Sequence, residues 1–120
     1  MAVRYHPNGL RVIDQELIDE VVHTIVERFH PRRIVLFGSQ ARGDAGPDSD
    51  IDLMIEMETA MRPIDRAVAV GSLFLDRDWP LDVVVYTPAE IARDTGVVGT
   101  LVSMIETNAR TLYDNTSVTA

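Results

Sequence analysis

Phe37-Gly38-Ser39-Gln40-Ala41-Arg42-Gly43-Asp44-Ala45-Gly46-Pro47-Asp48-Ser49-Asp50-Ile51-Asp52-Leu53 is the stretch on which the reading of this chain turns. An apolar run, Ile34-Val35-Leu36-Phe37, leads into Gly38-Ser39, and a second apolar run, Ile51 to Ile55, carries two carboxylates at its start. Two strands therefore frame one loop. In an extended segment residues i and i+2 point to the same face, so Asp50 and Asp52 aim together while Ile51 and Leu53 turn into the core. The loop is too short for a long crossover helix, so the two strands are expected to pair antiparallel around a short helical turn.

Upstream, Leu17, Ile18, Val21, Val22, Ile25 and Phe29 recur at three- and four-residue steps and predict an amphipathic helix from Asp14 to Phe29. Pro31 ends it, because a proline disfavours the helical conformation in the residue before it. Downstream, Arg62 to Leu75 reads as a second long helix with Pro63 in its first turn. Leu81 to Tyr86 is rich in β-branched and aromatic residues and reads as a third strand. Thr87-Pro88-Ala89-Glu90 has the form of a capping box opening a short helix that Asp94-Thr95-Gly96 interrupts, after which helix is expected to resume over Val97 to Asn108. Thr111-Leu112-Tyr113 suits a brief edge strand. Strands separated by helices predict an α/β (α+β) fold with a small mixed sheet flanked by helices. Residues 1–120 are read as one domain, with 1–9 and 115–120 expected to fray.

Composition narrows the function. Lys+Arg 11 against Asp+Glu 19 gives a formal net charge of -8, which disfavours binding to a nucleic-acid backbone. With no cysteine, a catalytic metal must be held by oxygen or imidazole, and hard cations are the natural choice. Every cation is arginine, which excludes lysine chemistry and leaves guanidinium groups for phosphate contacts. There is no apolar stretch long enough for a signal peptide or a membrane span, so a soluble, cytoplasmic protein is expected.

Transfer of a nucleotidyl group requires neutralising a triphosphate and stabilising charge on the attacking and leaving oxygens, which one or two Mg²⁺ ions do when held by carboxylates. Asp50 and Asp52 suit that task. Gly38 permits close approach of backbone to phosphate, Ser39 at a helix start offers a hydroxyl and an amide, and Arg42 lies one helical turn further on. A third carboxylate, as metal ligand and general base, is expected from a neighbouring strand. Asp82 is the acidic residue of the Leu81 to Tyr86 strand, and its apolar flanks make it costly to bury without a cation.

The rival readings are weaker. A calcium loop begun at Asp48 needs glycine at its sixth place and glutamate at its twelfth, where the chain has Leu53 and Thr59. A second Gly-Ser, Gly71-Ser72, lacks aspartates at the equivalent offsets, which fall on Val83 and Val85, and is read as a packing site for a neighbouring backbone. Arg42 is equally suited to bracing Asp44. Gly43 is placed to close the helical turn. His6, His23 and His30 have no metal-ligand spacing, and Trp79 beside Pro80 is read as a turn-packing aromatic.

Gly38-Ser39-x-Ala41-Arg42-Gly43, five residues, then Ser49-Asp50-x-Asp52-Leu53 resembles the signature of the minimal nucleotidyltransferases, a branch of the DNA polymerase β-like superfamily. The resemblance covers most of the chain and implies Mg²⁺-dependent transfer of AMP from ATP to a hydroxyl. It assigns phosphate binding to Gly38 and Ser39, metal binding to Asp50 and Asp52, and the third carboxylate to Asp82. Members are often the antitoxin of a two-gene pair and resemble enzymes that adenylylate a tyrosine on a HEPN-domain toxin. The expected partners are thus a nucleoside triphosphate and a HEPN-type toxin, in a hetero-oligomer. Two alternatives remain open: an antitoxin that docks without turnover, and a transferase acting on a small-molecule hydroxyl.

Overall fold

Asp14 sets the start of the first helix, because its carboxylate accepts a hydrogen bond from the Leu17 amide at 2.9 Å. The helix, α1 (Gln15–Phe29), buries Leu17, Ile18, Val21 and Ile25, and closes at His30, which takes the left-handed conformation at φ 48° ahead of Pro31. The structure is a computed structural model and describes residues 3–115, the side chain of residue 106 excepted. The chain then runs β1 (Arg33–Phe37), α2 (Gly38–Arg42), β2 (Ile51–Glu56), α3 (Pro63–Gly71), a 3-10 turn at Ser72–Phe74, β3 (Leu81–Tyr86), α4 (Pro88–Asp94), α5 (Leu101–Thr107) and β4 (Arg110–Asp114).

The four strands form one mixed sheet in the order β3-β2-β1-β4. β1 and β2 are the expected antiparallel pair, with Phe37 opposite Asp52. β3 lies parallel to β2, reached by the α3 crossover, and β4 pairs antiparallel with β1 across an irregularity between Ile34 and Val35.

Alternation along the strands divides the interior in two. Ile34, Leu36, Ile51, Leu53, Ile55 and Val85 pack against α1 and α3, while Val35 and Met54 pack against Ile91 of α4 and Val102 and Ile105 of α5. The helices thus cover both faces, and Trp79 closes the first core with its ring edge-on to Phe74 at 5.7 Å between centroids.

Ion pairs brace the sheet and the helices on it. Buried Glu56 takes Arg33 at 3.0 Å and Arg32 at 3.6 Å. Buried Arg66 of α3 reaches Glu90 of α4 at 2.7 Å and the Val85 carbonyl at 3.3 Å. Glu90 is also the reciprocal partner of Thr87 in the expected capping box. Among the described residues no helix is long and apolar enough to cross a membrane.

Three expectations are corrected. Helix does not resume at Val97: Gly99 at φ 91° breaks the chain and Thr100 caps α5 by accepting from the Ser103 amide, so the helix begins at Leu101. Residues 3–9, expected to fray, fold back through a Tyr5–Arg11 bridge and a hydrogen bond from the Val12 amide to the Arg4 carbonyl. At the other end the Asn115 amide donates to the Arg32 carbonyl; the fraying expected of residues 1, 2 and 116–120 lies outside the described residues. A Cβ at Gly71 would meet nothing within 4 Å, so that glycine is no packing site.

Candidate active site

Strand register builds the site. Phe37, Asp52 and Asp82 stand side by side across β1, β2 and β3, because Phe37 pairs with Asp52 and Asp52 with Asp82. They share the sheet face that α4 and α5 cover. One rung in, Val35, Met54 and Val84 give the row an apolar floor. Asp50 stands just before β2, half-buried like Asp52.

The Gly38 backbone passes directly beneath the Asp52 carboxylate. Gly38 has φ 73°, and a Cβ there would overlap the Asp52 carboxylate, lying 3.1 Å from its Cγ. Glycine is required twice, for the left-handed backbone and for the space. From it α2 carries Ser39 and Arg42 for a single turn, which Gly43 closes at φ 84° with its amide on the Ser39 carbonyl at 2.9 Å.

The electrostatics follow from this crowding. The Asp52 carboxyl is pushed up to about 6, first by burial, then by the charges of Asp50 and Asp82, with Arg42 acting in the opposite direction. Three carboxylates and one guanidinium therefore sense one another. Arg42 also donates from Nε to Asp44 at 3.2 Å, so it braces the loop while lying within electrostatic reach of Asp52. Asp82 is exposed, which corrects the argument from a costly burial; register with Asp52 is what places it.

The donor set is all oxygen, as a hard divalent cation requires. Among the described residues no three carboxylate, imidazole or thiol side chains are already gathered into an ion cage. A cation beside Asp52 would offset both its burial and the charges of Asp50 and Asp82, which together raise its carboxyl.

A sequence model for the nucleotidyltransferase domain matches residues 18–112, from within α1 to within β4. The chain belongs to the nucleotidyltransferase domain family. That family generally pairs a nucleoside triphosphate with a divalent metal. Two solved structures share the fold of this nucleotidyltransferase domain. One is a proposed nucleotidyltransferase from Sulfolobus solfataricus, 22% identical, with a TM-score of 0.59 over 82% of this chain and 78% of that one. The other is a toxin-antitoxin structure with AMP-PNP, 21% identical, with a TM-score of 0.51 over 80% of this chain and 72% of that one. No curated protein matches the sequence.

Around the nucleotidyltransferase motif lie contacts that the sequence did not show. Asn8 donates to Asp48 Oδ1 at 2.8 Å and so ties the amino-terminal segment to the loop that delivers Asp50. The Ser49 hydroxyl accepts from the Gly46 amide at 2.8 Å and closes that loop. Phe37, Gly38, Arg42, Leu101, Met104, Ile105 and Asn108 line a cleft of about 210 Å³ between α2 and α5.

Proposed function

We propose that this nucleotidyltransferase domain transfers AMP from ATP, with Mg²⁺, to the hydroxyl of a tyrosine on a partner HEPN-type toxin, and acts as that toxin's antitoxin. The observation that carries the reading is the register of Asp52 beside Asp82, with the Gly38 backbone against Asp52. Acidic side chains for a metal and a turn for phosphates thereby meet at one end of the sheet. The toxin-antitoxin structure that shares the fold and holds AMP-PNP supports both nucleotide and partner.

In this reading Gly38 and Ser39 bind the β- and γ-phosphates, Arg42 adds positive charge, and Asp50, Asp52 and Asp82 hold Mg²⁺. When bound, Mg²⁺ neutralises the triphosphate and steadies the leaving oxygen. Asp82, at the outer end of the row, accepts the proton of the acceptor hydroxyl. The acceptor oxygen forms a bond to the α-phosphorus, the bond from that phosphorus to the α–β bridging oxygen breaks, and the electron pair departs with pyrophosphate. Residues 1–120 act as one domain on a cytoplasmic partner.

A second reading, docking without turnover, is favoured by the exposed apolar side chains of Leu101 and Met104 beside Gly38. The test is intact-mass analysis of the protein encoded by the adjacent gene after incubation with ATP and Mg²⁺. Added AMP mapped to a tyrosine, and lost by about 10²-fold or more in rate with Asp82→Asn, supports transfer. A tight complex with unchanged mass supports docking.

A further inference from the structure

Residues 4–12 form a small hairpin ahead of residues 18–112, the stretch matched by the nucleotidyltransferase domain. Tyr5 bridges Arg11, the Val12 amide donates to the Arg4 carbonyl at 2.8 Å, and Gly9 turns the chain at φ 89°. The hairpin reaches two places at the site end of the sheet. From its tip, Asn8 donates to Asp48 Oδ1 at 2.8 Å and to the Pro47 carbonyl at 3.4 Å. From its second arm, the Arg11 amide donates to the Asp78 carbonyl at 2.7 Å, while the Arg11 side chain holds Glu20 of α1 at 3.5 Å. Asp48 stands two residues before Asp50, and Asp78 four before Asp82.

The arm that ends in Asp82 is secured by the sheet, since the Ile51 amide donates to the Pro80 carbonyl at 2.9 Å. The loop that ends in Asp50 is not. Among the described residues, the hydrogen bonds of 44–49 run to α2, within the loop between Gly46 and Ser49, or to Asn8. A cavity of about 290 Å³ separates this loop from the amino-terminal segment, with His6 and Ile13 on one side and Gly43, Gly46 and Pro47 on the other. Packing therefore leaves the loop room to move, and Asn8 spans the gap. Its own orientation is set: Asn8 Oδ1 accepts from the Leu10 amide at 2.9 Å, which turns the amide nitrogen toward Asp48.

We propose that the amino-terminal hairpin clamps the metal site, with Asn8 as a positioning residue that acts through Asp48 to hold Asp50 in line with Asp52 and Asp82. Groups that orient a metal ligand set the affinity of the site, because the cation then need not order the ligand itself. The inference rests on the reading of the three aspartates as Mg²⁺ ligands. It gives a segment outside the matched domain a part in metal binding.

The test is the affinity of the full chain for Mn²⁺, a hard cation that takes the same oxygen ligands and is read by water-proton relaxation. Asn8 is exposed, so Asn8→Ala leaves the core intact. Asn8→Ala is expected to weaken Mn²⁺ by about two- to tenfold, the worth of one hydrogen bond. The pair Asn8→Asp/Asp48→Asn exchanges donor and acceptor at unchanged net charge and should restore parental affinity. In an Asp50→Ala background, Asn8→Ala should cost nothing further. A tie that is merely structural would lower the melting temperature and leave Mn²⁺ affinity as it was, and that result overturns the proposal. So does an exchanged pair that fails to restore binding, or a loss of the same size without Asp50. Parental Mn²⁺ binding that is absent, or unaffected by Asp50→Ala/Asp52→Ala, sinks the metal reading and the clamp together. Binding that needs the aspartates but ignores Asn8 sinks the clamp alone.

Discussion

Gly38 and Asp52 share one volume: the carboxylate of Asp52 fills the space that any side chain at position 38 would need. Gly38→Ala therefore has two costs, about 1–2 kcal/mol for the left-handed backbone and a further one for displacing Asp52. Removing the carboxylate removes the second cost only. In a double-mutant cycle of thermal or urea unfolding, Gly38→Ala is expected to be less destabilising in an Asp52→Ala background than alone. Additive effects would show that the two residues do not meet.

The carboxyl of Asp52, raised to about 6 from 3.8, makes stability depend on pH. A raised carboxyl stabilises the fold below its unfolded value of 3.8, and that contribution is lost as pH rises through about 6. Asp52→Asn keeps the shape and removes the charge, so it should be more stable than the parent above that range and indistinguishable at the acid end. Because the group is partly solvated, the gain at alkaline pH is on the order of 1 kcal/mol. Added Mg²⁺ should raise the melting temperature of the parent and not of the variant. Equal melting curves at every pH would contradict the crowding of the three carboxylates.

Glu90 works in the opposite sense. The Thr87 backbone amide and the Arg66 guanidinium hold its carboxyl below the usual glutamate value of 4.5, against the effect of burial. Its contribution is present above that value and lost as pH falls through the lowered one. Glu90→Gln leaves the Arg66 charge unpaired between α3 and α4 and should cost about 2 kcal/mol at neutral pH. Chemical denaturation at two pH values checks it: the cost should shrink in acid, where the parent is protonated as well.

These relationships also mark what could be read from sequence. β1 and β2 were legible because strands covered on both faces read as apolar runs, and Asp50-Ile51-Asp52-Leu53 shows its alternation directly. Gly38 and Asp52 were each legible, but their contact depends on the pairing of Phe37 with Asp52, which is tertiary. Arg66 looks like a surface cation on its helix until Glu90, 24 residues on, comes beside it. The start of α5 was misread because Val97 and Val98 prolong the apolar pattern past the break that Gly99 and Thr100 impose. The order of residues 3–12 escaped notice because Asn8 finds its partner Asp48 forty residues away.

Nucleotidyl transfer at the row of three aspartates is tested most directly by the position of the label that reaches the acceptor. The chain is incubated with Mg²⁺ and the protein encoded beside it, in parallel with ATP labelled at the α- or the γ-phosphate, and with Asp50→Ala/Asp52→Ala as control. Covalent α-label on the partner, no γ-label, and neither with the double variant is the predicted result. Label from the γ-phosphate, or α-label undiminished without Asp50 and Asp52, would contradict it.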